Sequence, residues 1–240
     1  MSSKTKNKTA GEKENKQAHL EAIRKKKAER RAEPLFELMA PIRPEKPRIL
    51  IVSEGKNTEP SYFRQFRLSS ATIVTVGAGC ETIRVVERAE KEAAQNGPFD
   101  QVWVVFDKDD FPAANFDNAI FKAEHLGFGV AYSNQAFEYW LVLHFEDHQG
   151  GAMHRDDYHE KLNTYLAPHG LFYDGEASKT VENGFFDLMM ATDPRTKLRR
   201  VDVAIQRAAR IFNARDQKSP AAEESSTAVF KLVVEILKFV

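Results

Sequence analysis

Acid at the ends of apolar runs is the first chemical feature of this sequence. Glu54 follows Ile49-Leu50-Ile51-Val52-Ser53 and precedes Gly55, where the backbone can turn sharply or come close to a ligand. Asp107 and Asp109 follow Val102-Trp103-Val104-Val105-Phe106 with one residue between them, so both carboxylates can face one side of an extended loop, and Asp110 comes next. Carboxylates gathered at one edge repel one another unless a divalent cation neutralises them, and hard oxygen donors suit Mg²⁺ or Mn²⁺. Taken singly, each acid reads more readily as a cap for the helix that follows it. Glu54 and the Asp107/Asp109 pair, at equivalent positions after two separate runs, favour a shared cation.

For the acids to meet, the runs must be neighbouring strands. Residues 48–53 suit a strand buried on both faces, and 72–76, 101–106 and 128–132 read as three further strands. Helical spacing separates them: Tyr62, Phe63 and Phe66 after Pro60; Ile83, Val86, Ala89 and Ala93; then 115–126, closed by Gly127. This alternation predicts an α/β fold, a Rossmann-like parallel sheet of about four strands with right-handed crossovers and helices on both faces. In such sheets ligands collect beyond the carboxyl ends of the strands, where Glu54 and Asp107 are expected. Beyond Tyr132 the pattern turns helical: an unusually apolar helix over 137–145, then 158–166, 185–190, 198–212 and a terminal helix with Ser226 as its cap. Three regions are expected: a basic arm and Pro-rich connector over 1–47, an α/β core over 48–145, and a helical region over 146–240 packing on the core.

Composition narrows the function classes. The chain of 240 residues, 42% hydrophobic and 29% charged, can bury a core. Its longest apolar run is far short of the roughly 20 residues that a membrane span needs. A single cysteine, Cys80, excludes an internal disulfide framework and a multi-cysteine zinc site. With a polar N-terminus lacking a secretory apolar segment, this points to the cytoplasm. The 35 basic and 35 acidic residues cancel, but unevenly: residues 1–33 hold 11 Lys or Arg against 5 Asp or Glu, leaving 24 against 30 elsewhere. A basic arm on an acidic body suits a polyanionic partner, with Lys25, Lys26, Lys27, Arg30 and Arg31 as candidate nucleic-acid contacts; a purely solubilising tail is the alternative.

The same residues carry a resemblance. Ile49 to Gly55 with Thr58-Glu59-Pro60, Val102 to Asp109, Ser133-Asn134, Phe137-Glu138, Trp140, His144-Phe145 and Ser226-Thr227, spread over roughly 48–237, resemble the RloB family. RloB-like proteins are associated with bacterial restriction loci and abortive infection, and resemble TOPRIM nucleases such as those of the OLD type. The resemblance implies a TOPRIM-like core and a Mg²⁺- or Mn²⁺-dependent phosphodiesterase acting on DNA or RNA, transfer RNA included, in anti-phage defence, with a partner ATPase from the same locus. It implies metal binding or acid/base work for Glu54, metal ligation for Asp107 and Asp109, and a second metal position completed by Glu138. Lys179, in Ser178-Lys179-Thr180, is the candidate cation for the transition state. Glu59, Asn134 and His144 are candidates for supporting these groups; their ordinary readings are a helix cap, an Asx turn and a satisfied core histidine. A non-catalytic TOPRIM-like module binding nucleic acid or an ATPase, and a nucleotide phosphotransferase or hydrolase, are the competing functions. The oligomeric state, a dimer included, stays open.

Overall fold

The computed structural model describes residues 16–28, 46–75, 82–109, 112–149, 151–216 and 218–240. The chain divides into two units, Met1–Glu45 and Lys46–Val240. In the first, residues 16–28 form helix α1, which carries Lys25, Lys26 and Lys27. Arg30 and Arg31, the prolines at 34, 41 and 44, Cys80 and Asp110 lie outside the described residues.

The second unit opens with β1 (Ile49–Ser53), α2 (Thr58–Gln65), β2 (Ala71–Thr75), α3 (Thr82–Asn96), β3 (Gln101–Asp107), α4 (Ala113–His125) and β4 (Gly129–Ser133). All strand pairs are parallel, in the order β2-β1-β3-β4. This is a Rossmann-like α/β fold. Alternate strand residues serve opposite faces, which explains the uninterrupted apolar runs. Leu50, Val52, Val104 and Phe106 pack with Val85, Val86 and Ala89 of α3 and Phe116, Ala119 and Ile120 of α4. Ile49, Ile51 and Val105 pack on the other face with Tyr62, Phe63 and Phe66 and with the helices that follow β4.

Those later helices are α5 (Glu138–Val142), α6 (Tyr158–Leu166), α7 (Asn183–Met190), α8 (Arg200–Asn213) and α9 (Val229–Leu237). The apolar helix expected over 137–145 is shorter as an α-helix, because His144 N–H and Phe145 N–H bond three residues back, to Leu141 and Val142, instead of four. Trp140, fully buried, anchors this segment. Ser226 does not cap α9. The chain before α9 runs along the edge of β4, with Asn134 N–H donating to Ser226 O and Ala228 N–H to Tyr132 O, both at 2.8 Å. Held there, the Ser226 hydroxyl donates to Glu223, and Thr227 Oγ1 accepts the N–H of Val229 instead. Among the described residues no helix is long and apolar enough to cross a membrane.

The strand order decides where a site can form. From β1 the chain crosses outward to β2, then returns past β1 to β3 and continues to β4. The direction of winding reverses between β1 and β3. Connections leaving these two strands diverge to opposite faces and open a crevice at their carboxyl ends. Glu54 leaves β1 and Asp107 ends β3.

Candidate functional site

Glu54 is held at the crevice by its backbone, its N–H donating to Val105 O of β3 at 3.0 Å. The pairing of Ser53 with Val105 and of Asp107 with Ser133 places both acids at one sheet edge. Asp107 Oδ2 accepts the N–H of Phe137 at 3.0 Å, which ties the end of β3 to the start of α5. Its Oδ1 and the Oε2 of Glu54 are buried without a hydrogen-bond partner.

A cavity of about 240 Å³ gathers Glu54, Glu59, Asp107, Asp109, Glu138, Arg155 and Lys179. The sequence-predicted ligands and the predicted lysine therefore meet in one place. Glu59, in the first turn of α2, accepts its own backbone N–H and, at Oε1, the N–H of Gly55 at 3.2 Å, which draws its carboxylate to the turn after β1. Gly55 is needed for this, since a Cβ there would stand 2.2 Å from Glu59 Oε2. Glu138 Oε1 accepts from Tyr173 Oη at 2.6 Å and from Thr58 Oγ1 at 3.5 Å. Asp109 forms an ion pair with Arg155.

Asp109, Gln135 and Lys179 have φ of 44°, 78° and 48°. Such left-handed backbone is costly for residues with side chains and persists where the surrounding structure holds it. The hold is visible: Asp109 N–H donates to Gln135 O at 3.3 Å, and Lys179 N–H to Asp174 O at 2.8 Å. Asp109 and Lys179 are thereby turned into the cavity that they line.

The electrostatics follow from burial of like charges. Burial first, and then Glu59, raise the Glu54 carboxyl to about 7, opposed by Arg155. Burial also raises Glu59 to about 7, with Glu138 adding to the shift and Lys179 opposing it. Asp107 is pushed well above the carboxylate range by burial, Glu59, Glu138 and Glu54. A cluster that resists ionisation in this way is an unsatisfied demand for positive charge.

The site is partly committed to protein partners. Among the described residues, no three His, Cys, Asp or Glu side chains stand as a ready ligand group. Arg155 occupies Asp109, and Tyr173 with Thr58 occupies Glu138. Glu54 and Asp107 retain free buried oxygens, a donor type that fits a hard divalent cation.

Two predicted residues lie elsewhere. The Asn134 amide nitrogen donates to Pro220 O at 2.9 Å and to Glu223 O, fastening the segment before α9. His144 is buried with its Nδ1 3.0 Å from Trp140 O, and burial, partly opposed by backbone hydrogen bonds, holds its ring nitrogen down to about 3. It is a neutral core histidine, and the plainer reading holds for its burial and its Nδ1, whereas its Nε2 is buried without a partner. Arg155 and Tyr173 went unrecognised in the sequence. Arg155 sits in a polar stretch, and no spacing links it to Asp109; Tyr173 is one tyrosine among six.

The family model described as RloB-like protein matches residues 49–236. None of the curated proteins and none of the solved structures matches the sequence.

Proposed function

From the premise that the chain belongs to the RloB-like family, matched across most of its length, we propose that it is a divalent-cation-dependent phosphodiesterase of the TOPRIM kind acting on nucleic acid in anti-phage defence. One observation carries this reading: Glu54 Oε2 and Asp107 Oδ1, buried without partners, line one cavity at the point where the sheet's winding reverses. Mg²⁺ or Mn²⁺ held by Glu54 and Asp107, with Asp109 and Glu138 completing the set, would polarise a phosphate oxygen and acidify a bound water.

The chain's own groups have separable tasks. Crowded and buried together, Glu54, Glu59 and Asp107 ionise at a cost that an entering cation would remove, so cation binding is coupled to release of their protons, and Glu59 also fixes the turn after β1 by accepting the Gly55 N–H. Tyr173 and Thr58 orient Glu138 from behind. Arg155 and Lys179, with Lys56 at the rim of α2, supply positive charge on a cavity wall otherwise dominated by carboxylates. The basic run of α1 offers further phosphate contacts, and an ATPase encoded alongside would control the activity.

Asp107→Asn preserves the acceptor for Phe137 N–H while removing the charge. Purified protein with Mn²⁺ should hydrolyse DNA or RNA, and this substitution should reduce the rate by a factor of about 10³ or more, as loss of a group acting on transition-state charge does. Equal rates in both proteins would refute the site. Nucleic-acid binding without hydrolysis by the wild-type protein would instead support a binding module on the same scaffold.

A further inference from the structure

The two sides of the carboxylate cavity differ in the charge that lies beyond them. Toward α6, a second cavity of about 270 Å³ shares Glu138, Arg155 and Lys179 with the first and adds Asp156 and Glu176. The cavity beyond it, of about 590 Å³, has Glu160, Asp174 and Glu176 in its wall and no lysine or arginine. A chain of phosphates finds no counter-charge in that direction.

Toward α2 the charge is reversed. From Gly55 to Thr75 the sequence has a single acid, Glu59, which is buried, whereas Lys56, Arg64 and Arg67 are exposed. Lys56 stands in the cavity wall, in the turn that leads into α2. Tyr62 and Phe63 turn to the core, and Ser61 and Gln65 bond to the backbone of Val181, which leaves Arg64 on the solvent face of the helix. Arg67 follows the end of the helix with φ of 51°, the left-handed conformation in which helices usually end on glycine, and its N–H donates to Arg64 O at 3.0 Å. An arginine there costs stability that a glycine would not. None of the three cations forms an ion pair with a described residue. The eight residues of α2 span about 12 Å, so the basic surface extends over several phosphate spacings of a nucleic-acid strand.

Resting on the phosphodiesterase reading above, we infer that the substrate strand leaves the carboxylate cavity across α2, with its phosphates on Lys56, Arg64 and Arg67. The substrate is then a polynucleotide, because a mononucleotide placed at the carboxylates cannot reach Arg64 or Arg67. Contacts of this kind hold the strand by its backbone and carry no base preference.

The test compares two double variants that remove equal charge from opposite faces of the sheet. Arg64→Ala with Arg67→Gly alters the α2 surface; Arg84→Ala with Lys91→Ala removes two exposed cations from α3, which packs on the other face. Binding of a fluorescein-labelled single strand is followed by anisotropy over a range of salt concentrations, with EDTA present to prevent cleavage. The α2 variant should lose about 1.4 from the salt slope, two contacts at about 0.7 each, and bind more than tenfold more weakly in about 0.1 M salt. The α3 variant should keep the wild-type slope. Arg67→Gly alone should weaken binding by about fivefold and melt no lower than wild type, which separates a lost phosphate contact from a damaged fold. An unaltered slope in the α2 variant, equal losses in both double variants, or a lower melting temperature for Arg67→Gly overturns the inference. If such a result accompanies Mn²⁺-dependent cleavage that Asp107→Asn abolishes, the path across α2 fails while the nuclease reading stands. A wild-type protein that binds no strand overturns both.

Discussion

Replacing Glu59 by Gln should stabilise this protein in alkaline solution and leave its stability in acid unchanged. The carboxyl is buried, its Oε1 accepts the Gly55 N–H, and burial with the neighbouring Glu138 raises it from 4.5 to about 7. Below 4.5 the folded and unfolded chains both hold this proton. Between 4.5 and about 7 the unfolded chain releases it while the folded chain keeps it, so stability falls as pH rises, and above about 7 the loss is complete. Each pH unit in that interval is worth about 1.4 kcal/mol, giving a penalty on the order of 3 kcal/mol. Gln keeps an oxygen for Gly55 N–H and carries no charge, so it escapes the penalty. It also relieves Glu54 and Asp107, both of which Glu59 pushes upward. Urea unfolding in EDTA, followed by tryptophan fluorescence, should show the variant more stable by about 3 kcal/mol at about pH 8 and indistinguishable from wild type at about pH 4. In a domain of this size the gain corresponds to a melting temperature higher by roughly 6–12 °C. A variant that is equally displaced at both pH values, or less stable than wild type at the higher one, would refute the reasoning.

Two further outcomes follow from the charges. Arg155→Gln removes the cation paired with Asp109, so Mn²⁺ affinity measured by electron paramagnetic resonance should rise by about tenfold while cleavage falls; unchanged or weaker binding would show that Arg155 does not compete for that carboxylate. Deletion of residues 1–33, with their 11 basic and 5 acidic residues, should flatten the salt dependence of single-strand binding by about 0.7 for each phosphate that the arm neutralises, and an unaltered slope would assign the arm to solubility alone.

The sites of Glu54 and Asp107 were legible because a local rule governs them. A strand buried on both faces must be apolar throughout, so it announces its own end, and an acid at that end has few places to go in a parallel sheet. Hydrophobic period found the remaining strands, including the half-buried edge strand β2, and the helices between them. Local rules failed where neighbours outside the local segment took over. Ser226 precedes a helix as a cap should, yet hydrogen bonds to the β4 edge commit the backbone there and leave Thr227 to accept the first free N–H. Asn134 follows a strand as a ligand-binding residue would, but its amide fastens the segment before α9.

By itself, then, the sequence determined the alternation of strand and helix, the acids at two strand ends and the membership that its motifs imply, because hydrophobic period and turn chemistry act over a few residues. Only the tertiary structure decided which groups share the cavity. Parallel strand order brings the ends of β1 and β3 side by side, and α5 with the segments that precede and follow α6 then delivers Glu138, Arg155, Tyr173 and Lys179 from far along the chain. Burial among those groups, and not the residue types alone, pushes Glu54 and Glu59 up to about 7 and creates the demand for positive charge on which the proposed chemistry depends.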